Sequence, residues 1–490
     1  MGCPVKPFTP RPYGSLMIDH IIEHPRAALW SFLGSGKTIN TLTALDALDL
    51  AGQDPWPALA IGPLRVARKV WREETGKWEH TKDITVSQII GDADTRSMIV
   101  DRLCHPGSTP SQLYTINYEN IPWLVDKMWH KGGKMPFRTI IADESRKLKA
   151  YRTAQGGVMT QNLALLAWHK NLKRFIELTG TPSPRGLKDL WGQMWFLDRG
   201  KRLGETFSGF EERWFGFKRI QDALANGRTH IESVIQKGAD EEIHALVADL
   251  CLSIDAKDWF DIKDPIYRTV KVDLPPAARK HYREMENALF TQIDNHEIEA
   301  FNAGVKTNKL LQLANGAAYL DPTVENESDP RAQAWREVHS AKTEALESIV
   351  EEAEGMPVLV AYQFQSDIPR LLKAFPKARV LKSEQDEDDF KAGKIDMLLA
   401  HPKSAGHGID GFQHVTNIIA FYGNSWDLEL RLQIIGRIGP ERQMQAGLDR
   451  PVFVYDIVAE DTIDEDVLAR HASKISVQDA LLAAVKRRKA

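Results

Sequence analysis

Ala27-Ala28-Leu29-Trp30-Ser31-Phe32 is an apolar run that passes directly into Leu33-Gly34-Ser35-Gly36-Lys37-Thr38 and then into the helical pattern Ile39 to Leu50. A strand, a glycine-rich loop and a helix in this order are the context a phosphate loop requires, and they place the chain in the α/β class. Glycines let successive backbone N–H groups curl around phosphate oxygens, and the helix N-terminus adds its positive dipole end. In such a loop Gly34, Ser35 and Gly36 line the phosphates, Lys37 reaches the β- and γ-phosphates, and the Thr38 hydroxyl ligates Mg2+. The strict pattern opens with a glycine, whereas residue 31 is Ser.

Outward from this stretch the same rhythm recurs, with each apolar run followed by a Gly-, Pro- or polar-rich turn and a helical pattern. That is the alternation of a parallel sheet covered on both faces. Ala27 to Phe32, Ala58 to Ile61, Leu113 to Ile116, Thr139 to Ala142 and Phe175 to Leu178 read as one sheet. Val358 to Tyr362, Arg379 to Leu381, Asp396 to Ala400, Asn417 to Tyr422 and Val452 to Ile457 read as a second. Between them, from about Gly200 to Asn326, helical and charged sequence predicts helical insertion, including Ala277 to Phe301 with few breakers. Asp321 to Arg331 reads as a loop. The expected division is a first α/β lobe over residues 1–199, insertions and connection over 200–335, and a second lobe over 336–490.

The second half of a phosphate site is an acidic residue at the tip of a neighbouring strand, and Thr139-Ile140-Ile141-Ala142-Asp143-Glu144 supplies two. Asp143 would hold Mg2+ through water, and Glu144 would polarise the attacking water.

Composition sets the outer limits. A chain of 490 residues with 43% hydrophobic residues and 13 Trp can bury large cores, and a single small binding module is excluded. With 63 Lys plus Arg against 67 Asp plus Glu, the net charge of -4 means that any anion site is local. Cys3, Cys104 and Cys251 lie far apart without C-x-x-C spacing, which argues against a zinc ribbon or disulfide framework and fits a reducing compartment. No H-E-x-x-H occurs among the 15 histidines, so zinc is not expected. The start lacks the apolar run of a signal peptide, and no stretch approaches about 18 uninterrupted apolar residues. A soluble cytoplasmic protein, without membrane partners, is the expectation. Lys486-Arg487-Arg488-Lys489 reads as a solvated end.

From Asp143-Glu144-Ser145-Arg146 onward the sequence resembles the DExH-type helicases and translocases of superfamily two, through nearly the whole chain. Leu178-Thr179-Gly180-Thr181-Pro182 looks like motif III of the Swi/Snf-like branch. Ile61-Gly62-Pro63-Leu64-Arg65 with Trp71 and Trp78 is similar to motif Ia, and Tyr114-Thr115-Ile116-Asn117-Tyr118-Glu119 to the next DNA-facing motif. Val272 to Pro276 with Tyr282, Leu310 to Gly316, and Lys342 also match segments of this branch. Val358 to Tyr362 resembles motif IV, Ser404-Ala405-Gly406-His407-Gly408-Ile409-Asp410 motif V, and Gln433 with Arg437 motif VI. The texture is most similar to the compact bacteriophage-encoded forms.

The resemblance implies two RecA-like parallel-sheet lobes in tandem with helical insertions, ATP and Mg2+ as cofactors, and duplex or branched DNA as partner. Replication or recombination proteins would be further partners. Lys37, Asp143, Glu144, Gln433 and Arg437 would serve hydrolysis, with Gly408 and Asp410 on the nucleotide. The second motif VI arginine should stand at residue 440, which is Pro, and Arg442 could replace it if the loop bulges at Gly439-Pro440. Arg11-Pro12-Tyr13-Gly14 stands where the family carries a Tyr-Gln pair whose amide reads adenine, which leaves Tyr13 or Arg11 to stack on the base. By the same resemblance DNA would be gripped by Arg65, Asn117, Tyr118, Lys382, Ser383, Ser404 and Ala405. Trp426 matches a family position too, although a Trp there is more often packing. The leading reading is a DNA-stimulated ATPase that translocates on duplex DNA. Its alternatives are strand unwinding on single-stranded DNA or RNA, and a degenerate ATPase acting as a DNA-bound scaffold.

Overall fold

Leu29 and Trp30 are neighbours in one strand, yet they enter different cores, Leu29 with Leu42, Leu45 and Ile141 and Trp30 with Leu59, Ile140 and Phe175. Successive side chains of a strand point to opposite faces, so a run apolar at every position is a strand covered on both sides. In the computed structural model, residues 5–32, 34–130, 135–154, 156–183, 186–221, 229–288, 290–293, 296–299, 303–320, 335–405 and 409–487 are described.

The first sheet contains β1 (Arg26–Ser31), β2 (Ala58–Gly62), β3 (Val86–Gln88), β4 (Leu113–Asn117), β5 (Thr139–Asp143) and β6 (Arg174–Thr179). After the hairpin of β7 (Phe215–Gln221) and β8 (Thr229–Ile235), β9 (Cys251–Ile254) returns to it. The order is β3-β4-β2-β5-β6-β1-β9, and every pairing is parallel. The second sheet has the order β10-β19-β18-β15-β17-β16, also parallel throughout. Its strands are β10 (Ile266–Val272), β15 (Val358–Ala361), β16 (Arg379–Val380), β17 (Met397–Ala400), β18 (Ile418–Phe421) and β19 (Phe453–Ala459). Between β10 and β15 lie two antiparallel pairs, β11 (Phe290–Ile293) with β12 (His296–Glu299) and β13 (Ala317–Tyr319) with β14 (Trp335–Glu337).

All ten strands read from the sequence exist, five in each sheet. The stretch from Gly200 to Asn326, read as helical insertion, is mixed: it holds the helices Phe207–Trp214, Ala239–Val247, Pro276–Ala288 and Ala303–Ala314, but also β7 to β13. Ala277 to Phe301 is helical only to Ala288 and then becomes a hairpin. The chain divides into two compact units, the first built on residues before 218 and on Ser233–Asp261, the second mainly on Ile262–Ser473. The first sheet thus extends past residue 199, through β9, and the second begins before residue 336, with β10. The loop expected at Asp321 to Arg331 lies outside the described residues.

Both sheets are sandwiches of two apolar cores, and each fully buried Leu, Ile or Phe contributes roughly 1.5–3 kcal/mol. Parallel pairing has a consequence for chemistry. The C-terminal ends of all strands of a sheet lie along one edge, which is where open α/β sheets bind ligands. The first-lobe motifs from the phosphate loop onward lie at or just after the ends of β1, β2, β4, β5 and β6, whereas Arg11 to Gly14 precedes the sheet.

Candidate functional site

β1 ends at Ser31, and the chain turns through Gly34 (φ 82°) and Gly36 (φ 80°) into α2 (Lys37–Leu50). A Cβ is disfavoured in this left-handed region, so the turn requires glycine at both points. Gly36 caps α2 without a side-chain hydrogen bond, and no acidic residue stands in the first turn. The leading N–H groups and the positive dipole end are therefore matched by no acidic side chain of this helix, a donor set suited to phosphate. Ser31, the departure from the strict loop pattern, holds its hydroxyl 2.9 Å from that of Ser35. Lys37 Nζ donates to the carbonyls of Ser31 (2.8 Å) and Phe32 (3.1 Å), and Thr38 follows, half-buried.

Across β6 from this loop, β5 ends in Asp143, which pairs in register with Leu178. Burial raises the Asp143 carboxyl to about 7 and the Glu144 charge adds to the rise, while the Lys37 ammonium and a bond from Trp71 pull it back. Trp71 Nε1 donates to Asp143 Oδ2 at 3.2 Å, and the Tyr118 hydroxyl donates to the Asp143 carbonyl at 3.0 Å. Glu144 takes φ 60° and ψ 51°, left-handed for a residue with a side chain, at a cost of about 1–2 kcal/mol. Backbone strain of this kind gathers at functional sites. The Glu144 carboxylate lies 3.6 Å from Arg146 Nε, and Arg146 Nη1 donates to Thr181 Oγ1 at 3.4 Å. A second link runs from the Ser145 hydroxyl to Gln193 Oε1 (3.2 Å) and from Gln193 Nε2 to the Pro182 carbonyl (2.6 Å). The acidic pair and the Thr-Gly-Thr-Pro segment are thus bonded twice, through Arg146 and through a buried glutamine that no motif reading had singled out.

At the expected base-reading end, α1 (Pro12–Glu23) buries Tyr13 at 3% exposure against Phe32, Trp259 and Phe260. Tyr13 is core here and offers no free face for stacking, which corrects its assignment. Arg11 is exposed, donates to the Tyr13 hydroxyl at 3.2 Å and lies 5.5 Å from the Phe260 ring centre. Gly14 packs on Asn40: a Cβ at residue 14 would stand 2.9 Å from Asn40 Oδ1, so a glutamine there would have to displace that amide.

The DNA-facing candidates of the first unit separate into two kinds. Arg65 is half-buried just ahead of the π-helical turn Val66–Val70. Asn117 and Tyr118 are 7% and 1% exposed. The Asn117 amide is engaged with Glu119 (2.8 Å) and Asn120 (2.6 Å), and the Tyr118 hydroxyl is on Asp143. Their side chains work inside the protein, a correction to the expectation of direct contact.

In the second unit Arg437 is buried, and its Nη1 donates to the Ile409 carbonyl at 2.7 Å. Gln433 is buried on helix Leu428–Ile435. Pro440 is the first residue of helix Pro440–Gln445 with Gly439 as its cap, so the chain runs into a helix and makes no bulge. From that helix Arg442 pairs with Asp410. Both arginines therefore contact the same strand-following segment, Ile409-Asp410. Gly408 lies outside the described residues. Lys382 and Ser383 are exposed, and the Ser383 hydroxyl caps helix Glu384–Lys391 in a reciprocal pair with Asp386. Ser404 is exposed, whereas Ala405 is fully buried core. Trp426 packs, half-buried, against the cluster of Leu274, Tyr282 and Val467. Among the described residues no cluster of three or more His, Cys, Asp or Glu side chains suits a metal, and no helix is long and apolar enough to cross a membrane.

The SNF2-related domain model matches residues 32–326, more than half of the chain. Protein p41 of Acyrthosiphon pisum secondary endosymbiont phage 1 is 47% identical over 485 residues, covering 99% of this chain and 100% of that protein. The mouse SWI/SNF-related matrix-associated actin-dependent regulator of chromatin subfamily A member 1 is 21% identical over 92% of this chain, which spans 41% of that relative's length. The Sulfolobus solfataricus SWI2/SNF2 ATPase core in complex with dsDNA is similar over 97% of this chain and 93% of that chain, at 20% identity and a TM-score of 0.41.

Proposed function

The chain belongs to the SNF2-related domain family, in its compact phage type, and from that premise we propose that it is a DNA-stimulated ATPase that translocates on duplex DNA and remodels forks, branches or bound proteins. The observation that carries this reading is the carboxyl edge of the first sheet. There a glycine-turned, uncapped helix start bearing Lys37 stands one strand away from the Asp143-Glu144 pair.

Each residue has a definite task in this reading. The α2 N-terminus and the backbone of Gly34, Ser35 and Gly36 bind the phosphates, and Lys37 exchanges its two carbonyl partners for phosphate oxygens, a stronger charge-assisted contact. Mg2+ would be held by Thr38 and Asp143 and would neutralise phosphate charge. Glu144 orients the attacking water and takes its proton. Arg146, tied to both Glu144 and Thr181, fixes that carboxylate against the motif III segment. In the second unit, Gln433, Arg437 and Arg442 are the motif VI candidates of this reading, a role taken from the order of motifs along the chain. Arg65, Lys382, Ser383 and Ser404 grip the DNA backbone, which gives affinity without sequence readout. The host cytoplasm is where a phage-encoded protein of this kind would act.

The test is ATP hydrolysis by the whole chain with and without DNA, comparing duplex, forked and single-stranded DNA and RNA at one salt concentration, because phosphate contacts are salt-dependent. Duplex stimulation supports the proposal. Equally slow hydrolysis in every arm counts against it, and stimulation by single strands or RNA alone supports an unwinding enzyme. Nucleotide binding without turnover, unchanged by Glu144→Gln, supports a DNA-bound scaffold.

A further inference from the structure

Two segments on the carboxyl edge of the first sheet, both on the β2 side of Asp143, each send one aromatic side chain to it. The first follows β2. Its π-helical turn Val66–Val70 runs directly into α3 (Trp71–Lys77), and Trp71, fully buried, donates its indole N–H to the carboxylate. The second follows β4, where Tyr118, 1% exposed, donates its hydroxyl to the Asp143 carbonyl. One bond fixes the side chain and the other the backbone of the same residue. Gly62, at the end of β2, keeps the first segment close, since a Cβ there would lie 3.7 Å from Asp143 Cβ and 3.2 Å from Val66.

The outer sides of these segments have a different character. Arg65, Arg68, Lys69 and Arg72 recur at helical spacing on the first, with Arg68 and Arg72 exposed and Arg65 and Lys69 half-buried. Arg68 and Arg72 share the exposed side of the segment, while Lys69 lies 3.9 Å from Glu73. On the second, Lys147 bridges to Glu119 at 2.9 Å and stands 5.2 Å from the Tyr118 ring centre. The first segment is therefore two-faced, with a basic face outward and an indole inward on the carboxylate expected to hold the metal. Arg68, Arg72 and Trp71 are carried by one continuous stretch of backbone.

We propose that Trp71 and Tyr118 are positioning residues that transmit occupancy of the basic face of residues 65–72 to Asp143, setting how the nucleotide site takes up Mg2+. The inference rests on the reading of DNA as the partner. Burial keeps the Tyr118 phenol protonated, so its hydroxyl remains a donor. Both residues are buried, and each reaches Asp143 through a single hydrogen bond that a conservative change removes.

The experiment uses the full chain with Trp71→Phe and Tyr118→Phe, each of which keeps an aromatic ring and removes the donor. Trp78→Phe is the control for loss of an indole from the same segment, because Trp78 Nε1 bonds Glu74 at 2.9 Å instead of Asp143. The first readout is binding of a fluorescent, non-hydrolysable ATP analogue across a Mg2+ titration without DNA. The others are duplex DNA affinity and stimulation of hydrolysis by DNA. Trp71→Phe should raise the Mg2+ midpoint roughly three- to ten-fold, the worth of one such bond. It should also lower stimulation several-fold and leave DNA affinity within about two-fold. Tyr118→Phe, milder for folding, should move both quantities in the same direction.

A Mg2+ midpoint and a stimulation factor equal to those of Trp78→Phe would overturn the proposal while leaving the DNA reading intact. A wild-type protein that DNA does not stimulate would overturn the DNA reading itself. The two failures are thus separable.

Discussion

The edge that follows the first sheet and the edge that follows the second use charge in opposite ways. In the first unit Lys37 rests on two carbonyls of its own loop, and no acidic residue stands in the first turn of α2. These arrangements can be exchanged for a ligand at little cost, since a neutral hydrogen bond gives way to a charge-assisted one. In the second unit charge is locked inward. Lys342 and Asp464, both fully buried, meet at 2.6 Å, and Arg431 grips Asp456 with two bonds of 2.6 and 2.8 Å. Arg370, also buried, donates to the carbonyls of Asn315 and His339. Buried pairs of this kind break even at best against apolar packing, but losing one partner is costly, so they specify geometry more than they add stability. One edge is built to receive charge and the other to hold its own shape.

The sharpest way to break this contrast is Glu144→Gln. Turnover should fall by about 10²–10⁴ while nucleotide binding persists, measured by steady-state hydrolysis beside equilibrium binding. Retained turnover would remove the first edge from the chemistry. Next in size, Asp464→Ala strands the Lys342 ammonium in the core and should cost about 3–5 kcal/mol in urea unfolding. A cost below about 1 kcal/mol would show that the pair is ornamental to the second unit.

His339 offers an acid test of the same unit. Its Nε2 donates to the Leu313 carbonyl at 2.9 Å and its Nδ1 accepts from the Ala341 N–H at 3.3 Å, which suits the neutral ring. Burial holds its pKa down at about 4. Because the folded value is depressed, its contribution is intact above about 6.5 and is lost as pH falls toward about 4, by about 3 kcal/mol in total. Denaturation between those limits measures it, with His339→Gln expected to flatten the slope.

The smallest effect belongs to the first edge. Asp143 titrates near 7, and only its ionised form attracts a cation. Mg2+-dependent nucleotide binding should therefore strengthen as pH rises, by up to about ten-fold per unit below that value, and level off above it. A pH-independent Mg2+ titration would separate Asp143 from the metal.

How much of this could be read from residues alone depended on burial. Nine of the ten strands read from the sequence are central and were legible because a strand covered on both faces is largely apolar; the tenth, β16, is a two-residue edge strand with Arg379 exposed. Strands at the margins gave no such signal. β3 has only Val86–Gln88, all half-buried, and β10 has Ile266–Val272 largely exposed, while β9 is four residues set in charged sequence. The hairpin of β11 and β12 was hidden for another reason: Phe290–Glu299 contains no Gly or Pro, so nothing in its composition interrupts the preceding helical pattern. At the candidate site, Lys37, Asp143 and Glu144 stood out as candidates because phosphate and metal chemistry favours those residue types just beyond strand ends. Tyr118 was quoted but given the wrong direction, and Trp71 was quoted without a role. An aromatic residue in a loop gives no sign of which side of the chain it will face.

The order of residues by itself determined the α/β class and the two parallel sheets, since periodicity and side-chain type act over a few neighbours. Only the folded chain decided that Tyr13 is core, that Arg437 and Arg442 both clasp Ile409-Asp410, and that Trp71 and Tyr118 converge on one carboxylate. Those facts join residues from 25 to 72 positions apart or depend on which face is buried, and such distances are closed by packing rather than by local preference.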